Sequence, residues 1–154
     1  MKKALLFALA LIASGCADAR QSALCEGLSE GSPLEDVRTC AEQGYADAQV
    51  TLGYVYARGD DVAEDDAEAV RWYRLAAEQG DMTAQLRLGF MYANGEGVPE
   101  DTVLSYMWWN LAAAQGHDVA RGLKDILEEE MTRDQIAEGQ RLSREWIEAH
   151  PSGN

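Results

Sequence analysis

The chain has 154 residues, 27 of them acidic against 13 basic, for a net charge of −14. That length supplies one core and not two, and so acidic a chain repels the phosphate backbone, which excludes nucleic acid as a partner. Alanine, leucine, glutamate and glutamine are abundant and proline occurs only at Pro33, Pro99 and Pro151, a composition that favours helix over sheet and predicts an all-α class.

In chain order, Lys2 and Lys3 precede an apolar run from Ala4 to Ala13, the charge-then-hydrophobe order of a secretory leader. The run is too short for a membrane-spanning helix. Two processing points compete. Ala13-Ser14-Gly15-Cys16 resembles a bacterial lipobox, which makes Cys16 the candidate lipidation site, while Ala17-Asp18-Ala19 satisfies the small-x-small rule of ordinary signal peptidase. On the first reading, Asp18 at the second mature position resembles an inner-membrane retention signal. Either way the expectation is an exported, periplasmic protein, whose only membrane attachment would be a lipid at Cys16. Cys25 and Cys40 then meet an oxidising compartment, where thiols tend to pair. A Cys25–Cys40 disulfide is the simplest expectation, with two buried free thiols as its rival.

The middle of the chain repeats. Gly44, Gly80 and Gly116 lie 36 residues apart, closing the phrases Ala41-Glu42-Gln43-Gly44, Ala77-Glu78-Gln79-Gly80 and Ala113-Ala114-Gln115-Gly116. The same offset carries Ala48 to Ala84 and Ala120, Leu52-Gly53 to Leu88-Gly89, Tyr56 to Tyr92, Gly59 to Gly95, Asp65 to Asp101, Tyr73 to Trp109 and Ala76 to Ala112. Within a unit, Ala48, Leu52 and Tyr56 place one face on a first helix, A, from Asp47 to Arg58. Ala69, Val70, Tyr73, Ala76 and Ala77 do so for a second, B, over about Asp66 to Gln79. Asp65 and Asp101 are expected N-caps, and the three spaced glycines are expected left-handed terminators of the B helices. Gly53 and Gly89 lie inside A helices, where glycine costs roughly 1 kcal/mol against alanine. Close approach of helix B over Ala76 and Ala112 is the expected reason, so leucine at Gly89 would overpack the core.

These residues, in this order and at this period, resemble the Sel-one-like repeat family, relatives of tetratricopeptide repeats. The resemblance implies a right-handed superhelical α/α solenoid of two full 36-residue repeats with partial flanking units. Met107 to Gly116 is similar to the last-repeat phrase of proteobacterial members, and Met131 to Trp146 to their terminal helix. In the third unit Lys124 and Asp125 replace the Leu-Gly pair and Gly122 replaces Leu86, so an altered A helix is expected there, not followed by a further full unit. Thr132 and Gln135 read as a capping box opening a last helix whose Ile136, Gly139, Leu142 and Trp146 would cover the end of the stack. The resulting organisation is a leader over 1–15, a linker and start of a partial unit over 16–33, repeats over 34–127, a capping helix over 131–149 and a tail over 150–154.

Chemistry is sparse. His117 occupies the turn position of Asp81, and His150 lies in the tail. The acidic string Asp60, Asp61, Glu64, Asp65, Asp66 and Glu68 lacks the order of a calcium loop. With no phosphate loop, serine elbow or Cys-x-x-Cys motif, the expectation is a non-catalytic protein without metal or cofactor. The face of helix A turned away from the core stripe carries Thr51, Tyr54 and Arg58, with counterparts Arg87, Phe90 and Asn94. These six are the candidate binding groove, whereas Val50 and Leu86 on that side are expected to bury between successive A helices. The implied function is an envelope protein-interaction scaffold that holds another protein or a peptide segment. The alternatives are a binder or weak hydrolase of a cell-wall fragment or other small ligand, and a structural or oligomeric spacer.

Overall fold

A computed structural model of the chain describes residues 22–28, 31–59 and 61–151. The leader, Cys16 and the alternative cleavage point lie outside them. A short helical stretch at 22–26 is followed by seven helices: α1 (Leu34–Glu42), α2 (Ala46–Arg58), α3 (Asp66–Glu78), α4 (Met82–Asn94), α5 (Thr102–Ala114), α6 (Asp118–Glu130) and α7 (Arg133–Ala149). No strand occurs among the described residues.

The helix ends fall where the chain supplies partners for free backbone groups. Asp65, Asp81 and Asp101 accept from the amides of Glu68, Ala84 and Leu104 at 3.0, 2.7 and 2.9 Å, satisfying donors that the first turn leaves open. His117 does the same for α6 through Nδ1, at 3.4 Å from the Ala120 amide. Thr132 and Gln135 form the reciprocal capping box of α7. Gly44, Gly80 and Gly116 adopt φ of 95°, 91° and 97° just past α1, α3 and α5, the left-handed region that only glycine enters freely.

Helices A (α2, α4, α6) and B (α1, α3, α5) alternate, and each packs on its sequence neighbour, giving an α/α solenoid. A central core of Ala69, Val70, Tyr73, Ala76, Ala84, Leu88 and Trp108 is flanked by two others. One, at the N-terminal end, is built on Cys25, Cys40, Leu52 and Trp72; the other, at the C-terminal end, on Leu86, Trp109, Ala112 and Ala120. Cys25 and Cys40 are joined in a disulfide. Val50 and Leu86 are buried, as expected of residues between stacked A helices.

The reason for the A-helix glycines differs from the expectation. A Cβ on Gly53 would lie 2.5 Å from Cε1 of Tyr73, and one on Gly89 would lie 2.1 Å from Nε1 of Trp109. An aromatic ring from helix B occupies the missing side chain's place, and Trp109 is fixed there by donating to the Leu86 carbonyl at 3.1 Å. Gly139 of α7 repeats the device, its Cβ position 2.5 Å from Cδ1 of Tyr106.

Helix α6 is a regular 13-residue helix, altered as expected for helix A of the third unit. Its difference lies in packing, for Ala120 is its one buried residue. Helix α7 packs on α5, with Leu142 and Trp146 against the central core, and Val119 and Ile126 of α6 stay 58% and 62% exposed.

A polar staple recurs with the repeat. Buried Gln49 donates to the Ala41 carbonyl at the end of α1 (3.1 Å) and accepts from Gln79 at the end of α3 (2.7 Å). Gln85 likewise donates to Ala77 (3.4 Å) and accepts from Gln115 (2.9 Å). Each A-helix glutamine thus fastens the carboxyl ends of two successive B helices. Gln85→Ala removes one of two donors to the Ala77 carbonyl, which keeps the Gly80 amide at 3.0 Å, and takes away the acceptor of Gln115; it is expected to lower stability by about 0.5–1.5 kcal/mol, read as a lower urea midpoint at unchanged slope.

Candidate functional site: a groove between two A helices

Tyr54 projects from α2 and packs edge-on against Tyr73 (centroids 5.7 Å apart, 88°). Phe90, one repeat later on α4, packs in the same way on Trp109 (5.4 Å, 76°). The ring that forbids a side chain at Gly53 or Gly89 therefore also props up the aromatic residue one step further along helix A. Arg87 reaches back from α4, donates from Nε to the Tyr54 hydroxyl at 2.7 Å and lies over the Tyr54 ring, 4.5 Å from its centroid. Both contacts hold an otherwise mobile side chain in one place.

Between them is a groove of about 350 Å³ lined by Tyr54, Ala57, Arg58, Tyr73, Arg87, Phe90, Met91 and Glu96. Four of the six candidate residues, Tyr54, Arg58, Arg87 and Phe90, share it. Thr51 instead lines a separate pocket with Leu34, Val37 and Val55, its hydroxyl donating to the Asp47 carbonyl at 2.8 Å. Asn94 is not among the lining residues but donates to Glu96 on the rim at 3.0 Å. Ala57, Tyr73, Met91 and Glu96, absent from the six, complete the groove. Glu96 sits in the loop after α4, beyond the reach of helical periodicity. At the groove floor burial, and then the nearby Tyr54, raise the Tyr73 phenol well above its ordinary range despite the opposing charge of Arg87. The floor is therefore neutral at any physiological pH.

A larger pocket of about 550 Å³ lies where α3, α5 and α7 end, lined by Glu78, Gln79, Gln115, Trp146, Ile147 and His150 among others. His150 is stacked on Trp146, centroids 4.4 Å apart, with Nδ1 2.9 Å from the Trp146 carbonyl. No cluster of potential metal ligands occurs among the described residues. His117 uses its Nδ1 to cap α6.

The Sel1 repeat family model matches residues 46–81 and 83–117, that is, α2 to the start of α6. The repeat domain belongs to the Sel1-like repeat family. Among solved structures, a protective antigen present in uropathogenic Escherichia coli strains and displaying an SLR fold superposes with a TM-score of 0.73 at 33% identity, over 76% of this chain and 25% of that one. A Sel1 repeat protein from Oxalobacter formigenes superposes with a TM-score of 0.58 at 32% identity, over 60% of this chain and 38% of that one. This chain thus spans a quarter to about two-fifths of the length of these relatives. No curated protein matches the sequence. Sel1 repeats generally mediate protein–protein interaction and are typically non-catalytic scaffolds.

Proposed function

We propose that this Sel1-like chain is an exported, non-catalytic adaptor whose α2/α4 groove holds a segment of another envelope protein. The observation that carries the reading is the groove itself: two aromatic residues one repeat apart, each propped by a core ring, with an arginine held between them. Partly exposed tyrosine, phenylalanine and arginine on a rigid support lose little entropy on binding and suit interface anchors. The exported location rests on the Lys2/Lys3 and apolar leader pattern, and the Cys25–Cys40 disulfide suits an oxidising compartment.

Crosslinking and affinity capture from the native envelope tests it. Tyr54→Ala with Phe90→Ala is expected to abolish recovery of a partner that the wild type retains, with helical circular dichroism preserved. Equal recovery by both proteins would sink the groove as the binding site. The pocket beside Trp146 and His150 is where a small ligand would go on the alternative reading. Muropeptides are expected to leave the melting temperature unchanged, and a dose-dependent rise would favour the ligand-binding alternative.

A further inference from the structure

We propose that the groove selects its partner through a side-chain carboxylate, an Asp or Glu of an extended segment, that seats on Arg87 while a neighbouring apolar side chain lies against Phe90. This rests on the groove reading above and names the chemistry of its occupant.

The charge pattern points there. In a chain with 27 acidic residues against 13 basic ones, Arg71, Arg121, Lys124 and Arg141 each pair with a carboxylate. Arg87 is partly buried, yet no carboxylate among the described residues lies within ion-pair distance of it; its contacts are to Tyr54. Glu96, across the groove, is engaged by Asn94. A guanidinium drawn from water without a counter-ion loses hydration that a neutral phenol only partly replaces. Donation from Nε to Tyr54 leaves the two terminal nitrogens for an outside acceptor, and a carboxylate matches their fork with two parallel, charge-assisted bonds.

The apolar half of the recognition is Phe90, Met91 and Ala57, beside Arg87 in the same groove. Tyr54 and Phe90 recur at the repeat step along one face, so a segment following that face runs past Arg87 and does not end on it. A side-chain carboxylate is therefore the fitting source, in preference to a chain terminus. The chain's own acidity repels such a segment at long range, but screening at physiological salt confines that repulsion to roughly 8 Å.

The test uses fluorescence polarisation at physiological salt with acetylated, amidated peptides carrying a central Glu-Leu or Asp-Phe pair in an uncharged polar background. Gln and Asn twins replace the acid, and a second set of twins keeps a free C-terminal carboxylate. Wild type is expected to bind the acidic peptides about tenfold more tightly than their twins, the size of a charge-assisted pair. Arg87→Gln should erase that preference, so that acidic peptides and their twins bind the variant alike, while Arg87→Lys keeps the charge without the fork and should retain only part of it. If twins and acidic peptides bind wild type equally and both are lost in the Tyr54→Ala/Phe90→Ala protein, the groove stands and carboxylate selection is wrong. Tightest binding by the free-terminus twins would overturn the side-chain source. If no peptide binds wild type, both the groove and its selectivity fall.

Discussion

Alanine at Gly89 and alanine at Gly122 are expected to move stability in opposite directions, although both glycines lie inside A helices of the same repeat array. At Gly89 the new Cβ would stand 2.1 Å from Nε1 and 2.2 Å from Cδ1 of Trp109. Trp109 cannot yield easily, because its indole is bonded to the Leu86 carbonyl and packed against Phe90. The Gly89 carbonyl is itself tied to the Ser105 hydroxyl at 2.8 Å, which opposes a shift of the α4 backbone. Overpacking of this kind costs about 1–3 kcal/mol, and leucine at the same place costs more. For a domain of this size the loss should appear as a fall in melting temperature of roughly 2–12 °C. At Gly122 nothing lies within 4 Å of the Cβ position, so alanine gains its helix propensity unopposed, a rise of about 0.5–1 kcal/mol. Differential scanning calorimetry of the two variants decides it. A stable Gly89→Ala protein would mean that the ring does not rest on the glycine.

Breaking the Cys25–Cys40 bridge is expected to have an effect at least as large. The two cysteines are 15 residues apart in sequence, and by chain-entropy reasoning closing such a loop stabilises by roughly 3 kcal/mol. Both are buried in the N-terminal core with Val37, Ala41, Leu52 and Trp72, and Leu28 packs against that cluster. Reduction should therefore shift the urea midpoint downward and release residues 22–28 to rapid amide exchange, while α4 and α5 keep their protection because they pack in cores that exclude the cystine. A midpoint indifferent to reductant would show that packing of Leu28 and Val37 alone secures this end.

The groove variant, Tyr54→Ala with Phe90→Ala, acts on a different quantity. Tyr54 and Phe90 are partly exposed, so their loss is read mainly in partner recovery, whereas Gly89 and the cystine are read in stability. Those two sets of measurements separate a scaffold that has lost its groove from one that has lost its fold.

Much of the architecture is legible in the 36-residue register. The spacing of Gly44, Gly80 and Gly116 marks three B-helix ends because positive φ is a local requirement that local sequence must meet, and Asp65 and Asp101 mark starts for the same reason. Tyr54, Arg58, Arg87 and Phe90 are legible as a group because one helical face is computable from periodicity. Thr51 and Asn94 share that face in projection, yet Thr51 turns to its own helix backbone and a different pocket. The glutamine staple is not legible in the sequence, since Gln49 and Gln85 look like polar interruptions of an apolar stripe until their partners, Gln79 and Gln115, arrive 30 residues later.

By itself, then, the sequence determined the α/α repeat, its period, its caps and the residue types offered to a groove, all of which depend on interactions within a few helical turns. Tertiary structure alone decided that aromatic rings and not bare backbones fill the glycine notches, and that α7 lies along α5 with Gly139 under Tyr106. It alone placed Arg87 on Tyr54. These outcomes turn on which side chains meet across helices, at separations where chain distance carries no information and only the shape and charge of the packed surfaces select a partner.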